Sequence, residues 1–158
     1  MTIINDTKEF REGFNTVCNA VKLTLGAEGK LDVLESDNSI GMPRVTKDGV
    51  SVAKHITEDN RVKLQGNLLA KQCAMKTLAD VGDNTTTTLV LAQAMLNSIK
   101  TEDFNKKVEK GFNIAYEETQ KHLSKLSKKP SKSTISSVAI VASNNDASIG
   151  KVVAEAYL

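Results

Sequence analysis

A chain of 158 residues, 40% hydrophobic and without tryptophan, has the size of about one ordinary domain. Its 21 basic and 19 acidic residues leave a net charge of +2, too weak a field to steer nucleic acid or an anionic membrane, and with 4% aromatic residues a base-stacking platform is excluded too. Cys18 and Cys73 lie outside any Cys/His cluster, so they read as small apolar side chains in a reducing compartment rather than disulfide or zinc ligands.

The opening MTIINDTKEF carries acids early and has no apolar h-region, unlike a secretory signal or transit peptide. No apolar run approaches the ~20 residues of a membrane span. The cytoplasm is therefore the expected compartment, with neither nucleic acid nor membrane as partner.

The first helix is expected to open with Asp6 as N-cap and Glu9 three residues later, to carry Phe10, Phe14, Val17, Val21 and Leu25 on its apolar face, and to stop at Gly26. Short β-type runs at Leu31–Glu35 and Arg44–Thr46, separated by Ser/Asp/Asn and Gly/Pro punctuation, predict a hairpin. A helix over Asn60–Asp80 should turn Leu64, Leu68, Met75 and Leu78 inward, and one after Thr85 should do so with Leu89, Ala92, Leu96 and Ile99. A longer helix from Thr101 runs through Phe104, Val108, Gly111, Ala115, Thr119, His122 and Leu126. The basic, Ser-rich stretch Ser124–Ser133 reads as a solvated surface connection and a domain boundary. Beyond it TISSVAIVASNND reads as a β-rich run ending in a turn, and DASIGKVVAEAYL as a helix capped by Asp146 with Ile149, Val152, Val153 and Ala156 inward. Tyr157 and Leu158 end an apolar helical pattern with no Gly cap, from which further chain is expected to follow.

Three stretches carry candidate chemistry. In GDNTTTTLVLAQAM a Gly-Asp-Asn corner and four threonines open a helix, although threonine is a mediocre helix former. The free N–H groups and dipole of such a helix start attract an anion, threonine hydroxyls at the same terminus can bond phosphate oxygens, and the Asp83 carboxylate can hold magnesium. Taken alone, the segment fits a plain cap slightly better, with the threonines bonding their own backbone. In TLGAEGK, Gly26 and Gly29 make a tight bend where backbone can approach a ligand, or simply cap a helix. In VTKDGVSVA, Lys47, Asp48 and Gly49 sit on a turn before a helix that starts near Val50, and such a turn is commonly just solvated. No GxxxxGK[ST] pattern occurs, so an ordinary P-loop is excluded.

In this order, TLGAEGK, VTKDGVSVA, GDNTTTTLVLAQAM and ASNNDASIGKVVAEA make nearly the whole chain resemble the N-terminal part of a group I chaperonin, the bacterial GroEL type. The resemblance implies a mainly α fold with a small β-hairpin. Residues 1–130 would be the N-terminal half of a helical, ATP-binding equatorial domain, incomplete here, and 131–158 the start of an α/β intermediate domain. It implies an ATPase that assists protein folding in a homo-oligomeric ring, acting on unfolded polypeptides and a co-chaperonin lid through segments beyond these. A truncated nucleotide-binding or interaction module without ATP turnover is the alternative.

By the same resemblance Thr24, Leu25, Gly26 and Ala27 cradle ATP, Lys47, Asp48 and Gly49 lie beside its phosphates, and Asp48 is catalytic. Asp83 binds the magnesium ion, Asn84, Thr85, Thr86 and Thr87 grip phosphate, and Val141 and Ala142 align with a further nucleotide contact. The family usually has Pro at Ala27, Lys at Glu28 and Gly at Asn84. Glu28 adds negative charge near phosphate, whereas Asn84 is the mildest replacement for Gly in a left-handed corner. The water-activating aspartate and the segments over base and ribose belong to the second half of the family's equatorial domain.

Overall fold

The computed structural model describes residues 7–26, 29–36, 41–100, 105–143 and 145–158, so Asp6, Ala27, Glu28, Thr101, Phe104 and Asn144 lie outside the described residues. The chain forms two compact units, Met1–Val108 and Glu109–Leu158.

In the first unit, helix α1 (Lys8–Val21) is capped by Thr7, whose Oγ1 accepts from the Phe10 N–H at 3.2 Å. One 3₁₀ turn over Lys22–Thr24 follows, and Gly26 then adopts φ +77°. Strands β1 (Asp32–Leu34) and β2 (Arg44–Thr46) pair antiparallel with Val33 opposite Val45, as the hairpin expectation requires. Helices α2 (Gly49–His55), α3 (Arg61–Val81) and α4 (Thr85–Ser98) complete the core.

That core holds Phe14, Val17, Cys18 and Val21 of α1, Val50, Val52 and Ala53 of α2, Ala70 and Ala74 of α3, Leu89 of α4 and Leu34 of β1. Burial of a side chain such as Leu89 stabilises by roughly 1.5–3 kcal/mol. The inward face of α3 differs from the expected one. Leu68, Met75 and Leu78 are exposed, while Gly66, Asn67, Ala70 and Ala74 are buried. The reason is close approach of backbones: a Cβ on Gly66 would strike Phe10 O, and one on Gly13 would strike Lys63 O. Small residues, not large ones, make this contact. Leu25 is likewise exposed, since the α-helix ends four residues before it.

The helix carrying the threonines is fixed along its length. Arg11 donates to the Leu96 carbonyl at 2.9 Å and to that of Ile99, satisfying the α4 C-terminus. Gln93 Nε2 donates to Asn15 Oδ1 at 2.9 Å and Asn19 Oδ1 at 3.0 Å, tying its middle to α1. The C-terminal end of α2 is held against α3 by Lys71 Nζ, which donates to Ile56 O at 2.6 Å and to Lys54 O at 3.2 Å. Partial burial lowers the Lys71 pKa.

Helix α5 (Lys106–Leu126) crosses from one unit to the other and buries no residue. In the second unit the expected β-rich run is a helix, α6 (Lys132–Ala142), capped by Ser131 Oγ accepting from Thr134 N–H at 3.2 Å. Its β-branched residues suggested a strand, but the cap and the packing of Ala139 on α7 (Ala147–Tyr157) prevail. Helix α7 has the expected Asp146 cap, yet it buries Gly150 and Ala154 and exposes Ile149, Val152, Val153 and Ala156. Once again the buried contact is through small residues.

Candidate nucleotide cleft

Three segments far apart in sequence line one cleft of about 340 Å3: Thr24–Gly26 after α1, Lys47–Gly49 at the start of α2, and Asp83–Thr87 at the start of α4. Every sequence-predicted site residue of the first unit except the undescribed Ala27 is among them. Val141 and Ala142 belong to α6 in the second unit.

Each segment is shaped by local chemistry. Asp48 is the α2 N-cap: Oδ2 accepts from Ser51 N–H at 3.0 Å and Ser51 Oγ–H at 2.6 Å, while Oδ1 accepts only a long bond, 3.4 Å, from Val50 N–H. Its own N–H donates to Thr46 Oγ1 at 3.0 Å. One carboxylate oxygen is thus tied down and the other is nearly free. Lys47 is exposed at the cleft edge, and its ammonium has no partner among the described residues.

The α3–α4 corner turns through two left-handed residues, Gly82 at φ +83° and Asn84 at φ +65°. Asparagine accepts this conformation at little cost, as the sequence led us to expect. Asp83 Oδ1 accepts from Asn84 N–H at 2.6 Å, and Oδ2 has no partner among the described residues. A hard cation there takes oxygen ligands. No three His, Cys, Asp or Glu side chains among the described residues cluster to supply them. The free Asp83 Oδ2 is one oxygen of the kind such a cation takes, and further ligands would have to come from outside these side chains.

Thr85 is buried, and Thr86 Oγ1 lies 3.2 Å from Thr24 Oγ1. Because the Thr24 hydroxyl donates to Val21 O at 2.8 Å, its single proton is used and Thr86 is the donor between the two. The fourth threonine behaves differently: Thr88 is outside the cleft, 3.2 Å from Thr77 Oγ1 on α3. Ser51 and Thr77 were not singled out from the sequence. Ser51 could have been, as the third residue after a capping Asp.

Burial and the neighbouring Cys73 push the Cys18 thiol up to about 12. Both cysteines are free and neither lines the cleft.

This mainly helical fold with one small hairpin, and a cleft at the start of a threonine-rich helix, places the chain in a definite class. Residues 17–158 match the TCP-1/cpn60 chaperonin family, and the chain belongs to that family. It is similar to the chaperonin gp146 from the bacteriophage EL 2 (Pseudomonas aeruginosa), crystallised in the presence of ATP-BeFx. The two crystal forms superpose with TM-scores of 0.78 and 0.79 at 25% identity, over 94% of this chain. The chain spans 27% of the length of gp146.

Proposed function

We propose that this chain is the nucleotide-binding part of an ATP-driven chaperonin subunit and that magnesium-ATP occupies the 340 Å3 cleft. The observation that carries the reading is the convergence of the three segments, which bring an unpaired ammonium, an unpaired carboxylate oxygen and a helix N-terminus to one place. The crystallisation of gp146 with ATP-BeFx supports it.

Each residue has a distinct part. The backbone of Asn84–Thr87 and the hydroxyls of Thr85, Thr86 and Thr87 bond phosphate oxygens, Thr86 turning its proton from Thr24 to the phosphate on binding, with the α4 dipole favouring the negative charge. Lys47 neutralises phosphate charge from the opposite wall. Thr24–Gly26, with Ala27, cradle the nucleotide, and Gly26 at φ +77° supplies a conformation side chains disfavour. Asp83 holds magnesium through its free oxygen. When bound, that ion offsets the charge developing on the transferred phosphoryl group. Asp48 Oδ1 orients the attacking water, while Ser51 keeps Oδ2 fixed.

Turnover, ring assembly, binding of unfolded polypeptide and a co-chaperonin lid belong in this reading to the whole subunit, acting in the cytoplasm, with residues 1–130 equatorial and 131–158 intermediate. Residues 1–158 alone bind nucleotide without hydrolysing it. Titration with a fluorescent ATP analogue in magnesium, and again in EDTA, tests this. Saturable one-site binding that EDTA weakens is expected; absence of binding in magnesium would remove the reading.

A further inference from the structure

Six described helices are capped by a side chain. Thr7, Asp48, Asn60, Asn105, Ser131 and Asp146 each accept N–H bonds from their own helix. The α4 start does not: Asn84 is left-handed, and its side chain makes no cap bond. An uncapped helix end is locally free to fray or tilt, yet this one carries the phosphate-facing threonines. Its position must come from elsewhere in the fold.

Thr88 is suited to that task. It lies one turn inside α4 and is the member of the threonine run that faces away from the cleft, 3.2 Å from Thr77 Oγ1 on α3. The single proton of the Thr77 hydroxyl is shared between Thr88 Oγ1 and Cys73 O, 3.0 Å away one turn back on α3, which holds Thr77 in one rotamer. The contact therefore spans the base of the corner: Thr77 precedes it, Thr88 follows it, and Gly82, Asp83 and Asn84 form its tip. Arg11 and Gln93 hold the C-terminus and middle of α4 to α1, so the freedom left at the corner is the local angle of the α4 start against α3. That angle decides whether Asp83 and the hydroxyls of Thr85–Thr87 can face one ligand together.

We propose that Thr77 and Thr88 are positioning residues for the nucleotide: their contact sets the α3–α4 angle at which the metal-binding carboxylate and the phosphate-binding helix start converge. Neither residue touches the nucleotide. This rests on the cleft being a magnesium-ATP site. The consequence is coupling through one contact, so that loss of either hydroxyl weakens the ligand without removing a ligand group.

The test is calorimetric titration of the full chain with magnesium-ATP, for wild type, Thr77→Val, Thr88→Val, the double variant and Thr77→Ser. Valine keeps the branched shape and removes the hydroxyl. Each single variant should bind about fivefold more weakly, the worth of one ordinary hydrogen bond. The double variant should bind no more weakly than the singles, and Thr77→Ser should match wild type. Unchanged affinity in the single variants, whatever their melting temperatures, overturns the proposal, as do losses that simply multiply in the double variant. A wild-type chain that binds no magnesium-ATP overturns the underlying site instead, and is recognised because the reference titration itself is blank.

Discussion

Gly49 lies directly beneath the hydroxyl of Thr86: a Cβ at Gly49 would collide with Thr86 Oγ1 and stand 2.9 Å from Val21 Cγ1. The start of α2 and the start of α4 are thus fitted together without a side chain between them, which lets Asp48 and the threonines share one cleft. Gly49→Ala should displace Thr86 as well as overpack the core, costing about 1–3 kcal/mol of stability. Thermal denaturation and nucleotide titration should both register the change. A variant with normal stability and normal affinity would show that the walls can part without consequence.

Asp48 serves both as the α2 cap and, in our reading, as the group that orients water. Asp48→Ala confuses the two, because losing a cap alone costs about 1 kcal/mol. Asp48→Asn retains an oxygen that can accept from Ser51 N–H. In a complete subunit this variant should melt close to wild type and bind ATP within a few-fold, yet turn over far more slowly. Equal losses in binding and turnover would make Asp48 a binding residue only.

Cys18 offers a check on the core. With its thiol pushed to about 12 by burial first and by Cys73 second, the neutral form is the one the fold accommodates. The sign follows: the folded pKa lies above the ordinary 9.0, so this contribution is complete below pH 9 and is lost as pH rises from there toward 12. Native protein at pH 8 should resist iodoacetamide at Cys18 and react once denatured. Rapid native labelling at Cys18 would mean that the α1–α3 contact opens readily.

Leu68, Leu69, Met75 and Leu78 of α3, with Leu91 and Met95 of α4, are all at least 40% exposed in this chain. Contiguous apolar surface beyond a few hundred Å2 is rare on soluble monomers. Residues 1–158 by themselves should therefore self-associate. Sedimentation equilibrium should show apparent mass rising with concentration, and an ideal monomer throughout would contradict this.

The turns of the cleft were legible in sequence because their determinants are local: a Gly-Asp-Asn corner, a Lys-Asp-Gly turn and a glycine bend each announce their backbone. Each alone fitted a plain cap or solvated turn at least as well, and their joining into one site was implied by the family resemblance. The faces of α3 and α7 were misread for the opposite reason. Periodicity weights large apolar side chains, whereas the close contacts are made by Gly66, Ala70 and Ala74 and by Gly150 and Ala154, whose value lies in what they lack. The strand expected at TISSVAIVA failed because β-branched content reports fit to a pleated surface, and here α7 presents a helical partner instead. Thr88 could not be separated from its three neighbours in sequence, since its role depends on Thr77 eleven residues earlier.

The central claim is that Asp83 and the threonine corner bind magnesium-ATP, and calorimetry of Asp83→Ala beside wild type, each with magnesium and with EDTA, tests it most directly. Asp83 is exposed and, among the described residues, its carboxylate bonds only the adjacent Asn84 N–H, so the substitution should leave the fold intact. The account predicts wild-type binding that magnesium strengthens by at least about tenfold, the scale of a single charge-assisted contact, and a variant whose weak residual binding ignores magnesium. A variant that binds magnesium-ATP as tightly as wild type would contradict it.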